Sequence, residues 1–167
     1  IDVSKIALNV LGITTDENVN IDFADQNAPL GPVKFPPTIS FVSQFQPDET
    51  TLLPEGGTIS KDVAVFKATI NDPENDQIRL EIELRRPAEW NGNFLDNATL
   101  TSEFSPSNST ITIARYGLIN DDYHWQYRAR DSQGYVSEWK EFQTPGNIDF
   151  TIVIPQCPLQ TAQSEML

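Results

Sequence analysis

Residues 117–142 read GLINDDYHWQYRARDSQGYVSEWKEF, and their alternation decides the fold. Tyr123, Trp125, Tyr127 and Ala129 fall on one side of an extended chain. His124, Gln126, Arg128 and Arg130 fall on the other. A period of two marks a strand with one face in a core. DSQG then supplies a polar turn, and YVSEWKEFQ runs back as a second extended segment. The stretch reads as an antiparallel pair of strands.

The same period recurs on the N-terminal side. In KDVAVFKATI, Ala64, Phe66, Ala68 and Ile70 form the more apolar set, so they face the core; Val63, Val65, Lys67 and Thr69 face away. NDPENDQ is a turn, because Pro among Asn and Asp cannot continue a strand. QIRLEIELRR alternates strictly. Ile78, Leu80, Ile82 and Leu84 point inward, while Arg79, Glu81, Glu83 and Arg85 form a charged face expected in water. TISFVSQF and NIDFTIVI add further strands. SNSTITIARYGL adds another, with Ile111, Ile113 and Tyr116 inward. The returning run is split from NIDFTIVI at Pro145-Gly146. PAEWNGNFLDNATL is a long connection around Asn91-Gly92. Short strands at regular spacing predict an all-β antiparallel sandwich of about seven strands.

The flanks differ from this pattern. Residues 1–37 combine the apolar IALNVLGI with an acidic, turn-rich stretch that ends at KFPP. They read as an extension with short strands and a linker. Residues 38–154 form the sandwich and residues 155–167 a tail. A chain of 167 residues fits one such domain with an appendage. The net charge of -13 excludes a nucleic-acid partner, because phosphate binding needs Lys and Arg. No apolar run is long enough to span a bilayer. The single cysteine, Cys157, forms no intrachain disulfide. It is compatible with a cytosolic protein and with a bacterial exported one.

The run from Gly117 to Trp139 resembles the F strand, F–G turn and G strand of fibronectin type III and related immunoglobulin-like modules. Leu118 and Tyr123 match the tyrosine corner, in which a phenol bonds back to nearby backbone. KDVAVFKATINDPENDQIRLEIELR is similar to the B strand, B–C turn and C strand of such modules in bacterial secreted and surface proteins. The resemblance covers residues 38–154. It departs from the pattern in lacking a Trp on the B–C side of the core, a volume that Trp125 is expected to fill. The loop carrying Trp90 also exceeds a minimal C–C′ turn. The resemblance implies a non-catalytic spacer or adhesion module of a secreted or cell-surface protein, with neighbouring domains as partners. The alternative is a self-contained domain that binds a carbohydrate or protein through the Trp90 loop or the acidic loop end.

Three constellations carry possible chemistry. Arg128, Arg130 and Trp139 resemble part of the arginine–tryptophan ladder of some cytokine-receptor fibronectin modules, with Glu81 and Glu83 expected on the same outer face. Asp72, Glu74, Asp76 and Asp131 lie on two turns at one end of the sandwich. Their carboxylates suit Ca²⁺ if they converge, and Asx-type turns if they do not. Trp90 and Phe94 flank a loop, where aromatics either stack on a sugar or a protein or cap the sandwich edge. Enzyme signatures are poor. The lone His124 has no nucleophile elbow near it, and one Cys with one His does not make a zinc site.

Overall fold

The computed structural model describes residues 33–90 and 92–156. The chain divides into two units, Ile1–Val33 and Lys34–Leu167, and the sandwich lies in the second. The strands expected before residue 33, and Cys157 with the tail beyond it, lie outside the described residues.

Two sheets enclose the core. The first contains β1 (Thr38–Phe45), β3 (Val63–Asn71) and β6 (Ser109–Tyr116), in the order β1-β3-β6. The second contains β2 (Gly57–Ile59), β4 (Ile78–Arg85), β5 (Leu100–Thr101), β7 (Asp121–Asp131), β8 (Lys140–Glu141) and β9 (Phe150–Ile152). Its order is β2-β9-β7-β4-β5, with β8 also on β7. Pairing is antiparallel except between β2 and β9. One helical turn, α1 (Pro87–Trp90), follows β4.

The inward faces are those the alternation predicts. Phe66, Ile70, Leu80, Ile82, Ile113 and Trp125 are buried in one cluster, and Leu84 and Tyr127 pack against it. Trp125 is its centre. Its ring meets Phe66 edge-on at 4.7 Å and stacks on Phe142 at 4.5 Å. A buried indole needs an acceptor. Nε1 of Trp125 donates to Oε1 of Gln44 at 3.0 Å, and Nε2 of Gln44 donates to the Asp149 carbonyl at 2.6 Å. Trp125 thus fills the centre of the core between the two sheets.

Four features depart from the sequence reading. Tyr116 is exposed, because it sits where β6 meets the Gly117 corner. Val63 and Val65 are buried although they face away from Phe66; β3 is the central strand of its sheet, with neighbours on both sides. Glu81 and Glu83 are buried rather than hydrated. The run after Tyr135 is not a continuous strand. It makes one bridge at Val136, the two-residue β8, and then an excursion through Pro145 and Gly146 before β9. Pro145 has no N–H to donate to a ladder, and Gly146 has φ +81.

The corner before β7 is closed by Tyr123. Its phenol oxygen accepts from the Ile119 amide at 3.1 Å and donates to the Ile119 carbonyl at 3.2 Å, with Leu118 buried beside it. Replacing Tyr123 with Phe keeps the ring on Phe150 but removes both bonds. The expected loss is about 1–2 kcal/mol with the fold retained, read by urea denaturation. An unchanged midpoint would show that the corner contributes nothing.

Candidate functional site

The outward face of β4 and β7 carries the polar clusters. Register places Glu81 opposite Arg128, and Arg79 opposite Arg130. Arg79 and Arg130 donate to Oε1 of Glu81 and Arg128 donates to Oε2, each at 2.7 Å. Burial works against the charge on Glu81, but the guanidiniums of Arg130, Arg128 and Arg79 outweigh it and hold the carboxyl below its ordinary range. Arg128 also lies 4.5 Å from the centre of the Trp139 ring, and Arg79 lies 5.0 Å from Phe104. Arg128, Arg130, Glu81 and Trp139 thus gather on one face as expected, but Glu83 does not join them.

Glu83 belongs to a different group. Its carboxylate accepts from Arg85, from the amides of Leu95 and Asn97, and from Gln126. Burial opposes its charge too, but these four donors hold its carboxyl below the ordinary value. Glu83 therefore ties the loop after α1 to the sheet. The end of α1 and that loop bring Trp90 and Phe94 onto His124, at 4.6 Å and 4.9 Å between ring centres. Both aromatics are partly buried against the sandwich. Trp90 Nε1 and Trp139 Nε1 are buried with no partner among the described residues.

His124 is enclosed, with 1% of its side chain exposed. Nδ1 lies 2.8 Å from Oδ2 of Asp149, and Nε2 lies 2.8 Å from Oε2 of Glu141. Oδ2 of Asp149 also accepts from the Trp125 amide, and Oε2 of Glu141 accepts from the Gly146 amide. Only an imidazolium donates from both nitrogens. Burial opposes that charge, yet Asp149 and Glu141 outweigh it and raise the His124 pKa above its ordinary value; burial also raises the Asp149 carboxyl, against the pull of His124 and the Trp125 amide. A raised folded-state pKa gives stability that is complete below the unfolded value of about 6.5 and is lost as pH rises through the folded one. Tm is thus expected to fall as pH rises from about 6.5 through the raised folded-state value. His124→Gln is expected to remove that slope. Equal slopes in the two proteins, measured by thermal melts across pH, would disprove the assignment.

Sequence reasoning places His124 on the outer face but misses Asp149 and Glu141. Asp149 precedes β9 and Glu141 ends β8, so only the folded G-side excursion brings them to the ring. No local motif signals that pairing.

Of the four acids suited to calcium, Asp72 and Asp131 hold turns, and Glu74 and Asp76 contact the segment before β1. Oδ1 of Asp72 accepts from the amides of Glu74 and Asp76, and Oδ1 of Asp131 accepts from those of Gln133 and Tyr135. Asp76 pairs with Lys34 at 3.3 Å, and Glu74 accepts from the Phe35 amide at 3.5 Å. Among the described residues no three His, Cys, Asp or Glu side chains gather as a metal group. Millimolar Ca²⁺ is expected to leave Tm unchanged; a rise that Asp76→Asn reduces would restore the cation site.

Two facing sheets with this strand order, closed by the Tyr123 corner, define an immunoglobulin-like, mostly antiparallel β-sandwich. No family model and no curated protein matches the chain. Among solved structures it is similar to the PKD domain of an M14-like peptidase from a Thermoplasmatales archaeon. Identity is 20% and the TM-score 0.43, over 74% of this chain and 100% of that one. No helix among the described residues is long and apolar enough to cross a membrane.

Proposed function

We propose that residues 38–154 are a fibronectin type III-like module without catalytic activity that spaces, orients or adheres domains of a secreted or cell-surface protein. The observation that carries this reading is the state of His124. Both ring nitrogens are bound to carboxylates inside the fold, so the one histidine has no site left to accept a substrate proton. The outer-face acids are likewise engaged in holding strands and loops together. Partners in this reading are neighbouring domains.

Domain exchange tests it. Replacing residues 38–154 in the parent protein with an unrelated sandwich of equal length is expected to preserve the parent's activity, whereas deletion impairs it. If replacement impairs activity as much as deletion does, spacing is not the role. The alternative, a carbohydrate or protein ligand held by the Trp90 loop or by the acidic loop end, would then take its place.

A further inference from the structure

We infer that the Arg79–Arg128–Arg130 stripe is a docking surface for an extended acidic peptide, a role that goes beyond spacing. The stripe stands out in a chain of net charge -13. Three guanidiniums surround one carboxylate, which leaves two positive charges uncompensated within the cluster. Glu81 is 3% exposed, whereas the side chains of Arg79, Arg128 and Arg130 are 29%, 18% and 28% exposed. The acid is underneath and the cations face outward.

The bonds to Glu81 also prepare the guanidiniums for a ligand. Arg128 and Arg130 reach Glu81 through Nε. Both terminal nitrogens of Arg128, and Nη2 of Arg130, have no acceptor among the described residues. A guanidinium presents a planar fork that matches a carboxylate with two parallel bonds. Trp139 packs on Arg128, so its free terminal fork is already oriented before a ligand arrives; Arg79, against Phe104, uses Nε and Nη2 on Glu81 and adds charge and its remaining Nη1. Arg79 and Arg130 face each other across strands while Arg128 lies two residues along β7 from Arg130. An extended peptide likewise presents side chains at every second residue on one face. Carboxylates at alternate positions therefore fit the stripe. Arg with aromatic neighbours is also the composition that dominates binding energy at protein interfaces.

The test uses the full chain, a fluorescein-labelled capped peptide of alternating Glu and Val, and its Gln counterpart. Anisotropy is expected to show binding of the Glu peptide that weakens with salt and at least about ten-fold weaker binding of the Gln peptide. Arg128→Lys keeps the charge but loses the fork, and is expected to weaken binding several-fold. Side-chain Nε–H resonances of the three arginines, followed by NMR in the unaltered protein, are expected to shift on titration. This readout does not depend on any variant folding. Equal affinity for the two peptides, shifts confined to another face, or no binding at millimolar peptide would each overturn the proposal. Binding of a sulfated oligosaccharide in place of the Glu peptide would also overturn it.

Discussion

Truncating Trp125 to Ala is expected to destabilise the protein by roughly 3–5 kcal/mol, the usual range for deleting a large buried aromatic. The side chain is fully enclosed between Phe66 and Phe142, so its loss opens a cavity that neither sheet can close without moving. It also leaves Oε1 of buried Gln44 without its donor. Domains of this kind are stable by only about 5–15 kcal/mol, so this change uses a large share of the margin. Urea denaturation gives the figure. A loss below about 1 kcal/mol would mean that the core closes without the indole.

Asp149→Ala is expected to cost about 3–5 kcal/mol, because it breaks a buried ion pair from one side. One oxygen, Oδ2, serves the Trp125 amide and His124 Nδ1, both at 2.8 Å. Without it the amide has no acceptor and the imidazolium retains only Glu141. Asp149→Asn keeps an acceptor for the amide and loses the charge, so its cost is expected to lie between wild type and Ala. Denaturation of the three proteins at pH 6 separates the two contributions. A cost for Ala no greater than that for Asn would show that the amide bond contributes nothing.

The two predictions rest on features that are unequally legible in the sequence. Trp125 is readable because a period-two pattern assigns each residue to a face, and a strand has only two faces. The core from Phe66 to Tyr127 follows from the same rule. Tyr123 is readable because Leu, a short turn and Tyr form a local signal. Arg128, Arg130 and Trp139 are readable as neighbours because the run after the DSQG turn returns alongside β7, although Trp139 itself is not on a strand. Asp149 is not, since its role depends on a contact with a residue far away in sequence after an irregular excursion. Alternation also misjudges Glu81 and Glu83. It reports which side a side chain takes, and says nothing of what later covers that side. Three arginines, Trp139 and the Trp90 loop cover it here. The acids at residues 71–77 are legible as turn formers from Asn, Asp and Pro alone.

The pairing of the first and last described strands sets how the sandwich responds to force. β1 begins with Thr38 opposite Asn71, at the end holding the 71–77 turn, and β9 finishes with Ile152 opposite Asp121, at the other end. A pull applied at Thr38 and Ile152 therefore runs along the strands. Ladder hydrogen bonds lie across that direction. The β1–β3 ladder and the β9 ladders to β7 and the parallel β2 are all loaded in shear. Bonds that would break singly in peeling must then rupture together, so the topology itself confers resistance to tension along the module's length.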